Sequence, residues 1–208
     1  MTAKFPSRKY PNVGTFVTDY ARLVAAGLTS VRSSEIDRAV AALKQAIQGD
    51  RLIFACGNGG SAAIANHLTC DCSKGIATNT TLRPRVVSLS ATVELITAIA
   101  NDIDFAEIFV HQLRNAARPG DLLITISSSG DSENIVRALA WARDNGLATI
   151  AMSGFSGGRS AKTADISLHV AGENYGVVED THQALMHILA QYVRMSEIPE
   201  AALKTLRF

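Results

Sequence analysis

The chain has 208 residues, enough for one large domain or for one domain with an added helical element. Nearly half of the residues (47%) are hydrophobic, which supplies a buried core, and the net charge is +1 without any run of like charges. This balance excludes the strongly basic surface that is typical of proteins binding nucleic acids or acidic membranes. We expect a globular protein that binds neither nucleic acid nor a membrane.

The N-terminus and the cysteines predict a soluble, cytoplasmic protein. Residues 1–12 are polar, contain two prolines and lack the apolar segment of a signal peptide. No apolar run approaches the ~20 residues needed to span a bilayer. Cys56, Cys70 and Cys72 lack the spacing of a zinc ribbon, and we interpret them as reduced structural thiols.

Two helices are predicted ahead of the first strand. Apolar residues recur at helical spacing over residues 13–31, and Ser33, Ser34 and Glu35 are typical of the cap of a second amphipathic helix. Neither helix has a sheet of its own to cover. We therefore assign residues 1–50 to a helical extension that forms an oligomer interface, in keeping with the low charged fraction of 19%.

From Arg51 onward, short apolar runs alternate with helical segments. The strands are expected at Arg51–Cys56, Arg85–Leu89, Asp121–Ser127, Ala148–Met152 and Ile166–Val170. The helices are expected near Ser61–Cys72, Glu94–Asn101, Phe105–Ala117, Ser132–Asn145 and Val178–Met195. This alternation predicts one α/β domain over residues 51–208, with a doubly wound parallel sheet whose ligand lies beyond the carboxyl ends of the strands.

The first of two candidate phosphate turns is Gly57–Ser61, which follows a predicted strand and opens a helix. Glycines allow a ligand to approach the backbone closely, and the free N–H groups of a helix start favour an anion. The turn lacks the Gly-Lys-Ser/Thr ending of a nucleotide P-loop and the glycine spacing of a dinucleotide fold. Taken alone, it is equally compatible with a plain tight turn.

The second candidate is the serine turn Ser127–Ser132, again between a strand and a helix. It carries four hydroxyls, whereas capping a helix normally needs only one. Hydroxyl and backbone donors that converge there suit a phosphate monoester. Two such turns at the ends of two strands predict a pocket for a phosphorylated sugar.

Two pairs of metal-binding side chains lie on predicted helices. His67 and Asp71 are four residues apart and share one helix face, and Glu179 and His187 are separated by roughly 80° around the last helix. Two imidazoles and two carboxylates suit zinc or another divalent ion. The sequence does not show that the two helices meet, so each pair is also compatible with a surface pair or a structural histidine.

Three segments resemble SIS (sugar isomerase) domains: Gly57–Ser61, Thr97–Asp102 and Ser127–Asn134. The Asn101-Asp102 pair and the histidine-bearing last helix are similar to the phosphoheptose isomerase branch of that family, and the resemblance covers nearly the whole chain. It implies a flavodoxin-like fold with a five-stranded sheet and conversion of sedoheptulose 7-phosphate to D-glycero-D-manno-heptose 7-phosphate through an enediol. It also implies a homotetramer and one zinc ion per subunit.

The resemblance also implies roles for individual residues. The metal ligands are His67, Asp71, Glu179 and His187, with Asp71 or Glu179 as the base and His187 as the acid. The substrate is contacted by Asn58, Gly59, Gly60, Ser61, Asn101, Asp102, Ser127, Ser128, Ser129 and Ser132.

The chain departs from the family at two of these positions. Asp71 stands where the family usually has Glu, and Glu179 stands where it usually has Gln. Loss of one methylene shortens the reach of the first carboxylate by roughly 1.5 Å, which matters for a base of tight geometry. The departures leave open an alternative, a non-catalytic SIS protein that binds a phosphosugar or associates with a replication initiator.

Overall fold

The structure is built on a parallel sheet of five strands. A computed structural model describes residues 4–208, in which β1 is Leu52–Gly57, β2 Arg85–Ser88, β3 Leu122–Ser127, β4 Ala148–Ser153 and β5 Ile166–His169. The strand order is β2-β1-β3-β4-β5 and every pair is parallel. This is the flavodoxin-like order, so the predicted fold class is confirmed.

Helices flank both faces of the sheet and also precede and follow it. They are α1 Val13–Ser30, α2 Ser33–Gln48, α3 Gly60–Cys70, α4 Val93–Asp102, α5 Val110–Ala116, α6 Glu133–Asp144, α7 Ser160–Thr163, α8 Tyr175–Ser196 and α9 Glu200–Leu203. Within this described part, no helix combines the length and apolar character needed to cross a bilayer.

Two predicted helices differ from the observed ones. The helix expected over Ser61–Cys72 ends at Cys70 and continues as a π-helical turn over Asp71–Ile76. The helix expected over Phe105–Ala117 is split into a 3₁₀ turn, Phe105–Glu107, and α5. The short helices α7 and α9 were not predicted, because four residues are too few to show helical periodicity.

Strand side chains alternate between two separate cores. Ile53 and Ala55 of β1 pack in the core that also contains buried residues of α2, α3 and α8. Phe54 and Cys56 of the same strand pack in the other core, with residues of α4, α5 and α6. Successive strand residues point to opposite faces of the sheet. Because helices cover both faces, the strands consist mainly of consecutive apolar residues.

The cysteines are free thiols in the structure, in agreement with the sequence. Cys56 and Cys72 are buried, and burial raises the pKa of the Cys72 thiol to about 12. Both buried groups therefore stay protonated and unreactive near neutral pH.

The second N-terminal helix belongs to the core of the domain. Ala39 and Leu43 of α2 are fully buried, and Glu35 accepts hydrogen bonds from the Ser167 amide of β5 at 3.0 Å and from Arg38 at 2.9 Å. Those two contacts, the Ser167 amide first, hold the pKa of Glu35 below its usual range. The division of the chain at residue 50 stays a prediction.

The first N-terminal helix lies along the last one. The Tyr20 hydroxyl of α1 donates a hydrogen bond to Asp180 of α8 at 2.6 Å. The outer side of α1 leaves Val13 and Val17 largely exposed. An interface on this side is still a prediction.

Candidate active site

The two phosphate turns meet at the point where the strand order of the sheet reverses. Gly57–Ser61 follows β1 and Ser127–Ser132 follows β3, and these strands are neighbours. Ligands of doubly wound sheets bind at this switch point. A pocket of about 140 Å³ lies there, lined by Asn58, Ser61, Ser127, Ser128, Ser129, Ser132, Tyr175 and Glu179.

The first turn is held by the segment that follows β2 and by close packing. The Gly57 amide donates to Ser90 Oγ at 3.1 Å, and the Ser90 hydroxyl donates to the Gly57 carbonyl at 2.8 Å. A Cβ atom at Gly57 would lie 2.5 Å from the Ser61 carbonyl oxygen, so only glycine fits. Gly59 (φ 54°) and Gly60 then start α3, and their own amides donate to no group among the described residues.

The serine turn rests on the loop that follows β4. The Ser160 amide donates to the Gly130 carbonyl at 2.8 Å, and the Gly154 amide donates to the Ser128 carbonyl at 3.0 Å. Gly130 has a φ of 65°, and a side chain there would collide with the carbonyl of Gly157. The glycine-rich loop 154–158 therefore supports the phosphate turn, a role that its sequence does not indicate.

A pair of amides ties the two turns together. Asn58 Nδ2 donates to Asn134 Oδ1 at 3.0 Å, and Asn134 Nδ2 donates to Asn58 Oδ1 at 2.9 Å. Asn134 Oδ1 also accepts from the Ile135 amide, and its side chain is buried at the start of α6. The two turns therefore form one connected unit.

Three of the predicted metal ligands come together beside this pocket. His67 Nε2 lies 3.2 Å from Asp71 Oδ1, and His187 Nδ1 lies 2.6 Å from Asp71 Oδ2. The helices α3 and α8 thus meet as the proposed site requires, and the ligand atoms of the three residues lie within 4.8 Å of one another. We call these three residues the His–Asp cluster.

The His–Asp cluster fits a divalent ion by its donor set. It offers two imidazole nitrogens and carboxylate oxygens, the donors that zinc prefers, from side chains that are partly open to solvent. Asp71 begins the π-helical turn, a local widening of the helix that often occurs at functional sites. A ligand therefore has access to the cluster.

Glu179 lies in the phosphate pocket rather than in the cluster. A Cβ atom at Gly60 would come within 2.5 Å of Glu179 Oε2, which places the carboxylate directly over the start of α3. The Glu179 side chain makes no hydrogen bond within residues 4–208. It is thus the free carboxylate of the pocket.

Comparison with known proteins agrees with this geometry. A family model described as SIS domain matches residues 16–154. The chain belongs to the SIS domain family. A phosphoheptose isomerase of Mycobacterium tuberculosis is 37% identical over 168 residues, spanning 76% of this chain and 84% of the relative.

Solved structures give the same result. A phosphoheptose isomerase of Neisseria gonorrhoeae superimposes with a TM-score of 0.80 at 28% identity, covering 88% of this chain and 97% of the other. One from Francisella tularensis gives a TM-score of 0.79 at 27% identity, covering 89% of this chain and 100% of the other.

Two predicted residues of this SIS domain do not reach the pocket. Asn101 and Asp102 are exposed at the end of α4, where Asn101 Nδ2 donates to Asp102 Oδ1 at 2.7 Å. They are absent from the lining of the pocket described above. Their contact with substrate stays a prediction.

One polar residue of the SIS domain's last helix was missed. Gln183 Nε2 lies 2.9 Å from His187 Nε2, so the ring accepts from Gln183 while Nδ1–H donates to Asp71. The signal was its spacing, because Gln183 is four residues from both Glu179 and His187 and shares their helix face. Tyr175, four residues before Glu179, lies in the same row of helix positions and lines the pocket.

Another histidine of α8, His182, is fully buried behind the site. Its ring nitrogens have no hydrogen-bond partner among the described residues, and burial lowers its pKa to about 4. The Ser153 main chain opposes this shift without reaching hydrogen-bond geometry. His182 therefore remains neutral at physiological pH and has a packing role.

Proposed function

We propose that this SIS domain is a phosphoheptose isomerase that converts sedoheptulose 7-phosphate to D-glycero-D-manno-heptose 7-phosphate. One observation carries the proposal: a single helix, α8, presents Glu179 to the phosphate pocket and His187 to His67 and Asp71. One helix thereby contributes to both the phosphate pocket and the His–Asp cluster.

The phosphate group is bound by the two turns. The helix starts of α3 and α6 offer N–H groups and the positive ends of their dipoles, and Ser61, Ser127, Ser128, Ser129 and Ser132 add hydroxyls. This donor set recognises a phosphate monoester without a cation in the lining of the pocket.

Glu179 is the base in this proposal. Isomerisation moves a proton between C1 and C2, so one group must take it from one carbon and return it to the other. Both oxygens of Asp71 are engaged by His67 and His187, whereas the Glu179 carboxylate has no hydrogen-bond partner. Glu179 is therefore the carboxylate that is free to accept a proton from a sugar held by the turns.

His187 acts at the carbonyl oxygen of the sugar. Asp71 accepts the Nδ1–H hydrogen bond of His187, so Nε2 is the nitrogen that would carry the acid proton, with the sugar oxygen taking the place of Gln183 as its partner. A zinc ion, when bound by His67, Asp71 and His187, would supply Lewis acidity at the same oxygen. Asp71, as the acceptor from Nδ1–H, and Gln183, as the donor to Nε2 in the free protein, orient the imidazole.

The proposal includes a homotetramer in the cytoplasm with one zinc ion per subunit. Exposed apolar side chains on the outer faces of α1 and α8, among them Val13, Val17, Ile188 and Tyr192, support an assembly. Light scattering of the purified chain tests the tetramer, and metal analysis of the same sample tests the zinc content.

The decisive experiment follows sedoheptulose 7-phosphate by NMR in D₂O with zinc-loaded protein. We expect an aldose 7-phosphate that carries deuterium at C2, since a proton held on a carboxylate exchanges with solvent. No conversion by folded, zinc-loaded protein would overturn the proposal and favour the non-catalytic alternative. Against that alternative stand the acidic side chains at both departing positions and the assembled His–Asp cluster.

A further inference from the structure

A second recess lies on the far side of His187 from the phosphate pocket. It has a volume of about 260 Å³, and its walls include Asp71, Lys74, His187, Gln191, Arg194 and Phe208. The π-helical turn supplies one wall and the last turns of α8 supply another. The recess shares Asp71 and His187 with the His–Asp cluster, so a group bound there would lie next to it.

Arg194 is the unusual side chain of this recess. It is only 6% exposed, yet it forms no ion pair with a carboxylate among residues 4–208. Nε donates to the Thr78 carbonyl at 3.1 Å and Nη1 to the Arg207 carbonyl at 3.3 Å, while the guanidinium stacks on Phe208 at 4.5 Å. The remaining N–H groups of its five have no partner in the part of the chain that the structure describes.

A buried charge with unused donors needs an opposite charge. Burial of an ion costs several kcal/mol unless an anion and further hydrogen bonds compensate it. Neutral carbonyls satisfy only part of the guanidinium. The free N–H groups of Arg194 therefore define a position for an anion at the recess.

Lys74 adds a second positive charge from the opposite wall. It lies one turn after Asp71 on the π-helical turn, is exposed, and makes no ion pair within the described residues. Asp71 is the single acidic side chain in the described lining, and His67 and His187 engage both of its oxygens. The side chains of the recess thus carry a net positive charge.

We propose that the recess is a second oxyanion site, built for a phosphate group, beside the reacting end of the active site. A guanidinium presents a planar fork to phosphate oxygens, and a lysine adds a point charge, a pairing common in phosphate recognition. The volume exceeds that of several water molecules, which leaves room for a phosphate.

The phosphate has two sources. It is free inorganic phosphate, or it is a second phosphate on the C1 side of a ketose bisphosphate whose other phosphate occupies the serine turn. The second source rests on the proposed function, because it assumes that the His–Asp cluster holds C1 and C2. Both sources require the same contacts to Lys74 and Arg194.

Calorimetric titration of the full chain with inorganic phosphate tests the shared site. We expect two phosphates per chain, one at the serine turn and one in the recess. Lys74→Glu should weaken one of the two by about tenfold or more, the loss expected for one charged contact. Lys9→Glu, at an exposed lysine that is likewise unpaired in the described part, should leave both unchanged.

Arg194→Gln should have the same effect as Lys74→Glu, and Ser132→Ala should weaken the other site. If Arg194→Gln does not fold, Lys74→Glu still decides, since that side chain makes no contact that the fold needs. A single phosphate that responds to Ser132→Ala and ignores Lys74→Glu would overturn the proposal.

Sedoheptulose 1,7-bisphosphate, compared with the 7-phosphate, distinguishes the two sources. If the attached phosphate is the natural occupant, the bisphosphate binds about tenfold more tightly, and Lys74→Glu removes the gain. If free phosphate is the occupant, it binds together with the 7-phosphate and the bisphosphate has no advantage. Isomerase activity is measured separately, so an active enzyme with one phosphate site refutes the recess alone, and an inactive protein with two sites refutes only the isomerase.

Discussion

The phosphate turns and the His–Asp cluster differ in how they are held. The turns are fixed by main-chain hydrogen bonds to neighbouring loops, by the buried amide pair Asn58–Asn134 and by glycines that admit no side chain. The cluster consists of three partly exposed side chains, one each on α3, the π-helical turn and α8, connected mainly to one another.

Phosphate binding therefore depends on main-chain turns, whereas the proposed chemistry depends on a few side chains. The turns are a consequence of the sheet, since two neighbouring strands end where the strand order reverses. The cluster depends on a few side chains that can change without disturbing the fold. Of the two departures from the family, Asp71 belongs to this cluster and Glu179 lines the phosphate pocket.

Removal of the His187 imidazole should cause the largest loss of activity. His187→Ala loses both a metal ligand and the proposed acid, so we expect kcat to fall by about 10³–10⁴-fold. Bound zinc, measured after gel filtration, should fall well below one per chain. His111→Ala, at a histidine outside the site, is the control, and full zinc and activity in His187→Ala would refute the assignment.

Replacement of Glu179, the proposed base, should cause the next largest loss of activity. Glu179→Gln should lower kcat by about 10²–10³-fold without raising KM, because the phosphate pocket loses a negative charge rather than a donor. Addition of Asp71→Glu to this variant restores the usual residues of the family and should recover part of kcat. A Glu179→Gln single variant with normal kcat would instead make Asp71 the base.

The buried His182 should make the stability of the protein depend on pH. His182 is neutral in the fold, with a pKa of about 4, whereas an unfolded histidine has one of about 6.5. Between these values the unfolded chain binds the extra proton, so stability falls as pH falls, by up to about 3 kcal/mol in total.

Urea unfolding at several pH values measures this effect. His182→Gln, which does not titrate, should show a flatter pH dependence between pH 6.5 and 4 than the wild type. Equal slopes for the two proteins would contradict the assigned burial of the ring.

Loss of the Asn58–Asn134 hydrogen bonds between the two turns should have the smallest effect, a decrease in stability. Asn134→Ala leaves the side-chain amide of Asn58 without its partner, and we expect a loss of about 1–3 kcal/mol in unfolding free energy. Asn58→Ala should cost less, and the double variant should lose less than the sum of the two. Additive losses would show that the turns are not coupled.

The sequence was most informative where structure is local. Apolar runs located each strand to within one residue, and the glycines and serines located both turns. It was weakest where side chains from distant segments meet. Helical spacing places Glu179 near the face of His187, yet only the packing of α8 against Gly60 shows that the carboxylate enters the phosphate pocket.

Other features had no usable signal in one chain. The π-helical turn depends on a hydrogen-bond shift that no residue type marks, and the buried pair Asn58–Asn134 joins residues from separate turns. Gln183 could have been found by its spacing of four from His187. Asn101 and Asp102 came from family resemblance alone, and nothing in the fold of a single chain brings them to the pocket.

Because α8 carries both Glu179 and His187, the number of residues between them sets the distance between the two side chains. Eight residues separate the two side chains, which corresponds to about 12 Å along the helix axis. A shift of one residue would rotate a side chain by about 100° and remove it from the site, while a shift of a full turn would move it by about 5.4 Å and keep its direction. The last helix thus fixes the separation between the proposed base and the proposed acid, and an insertion or deletion within α8 between them would move one of the two out of the site.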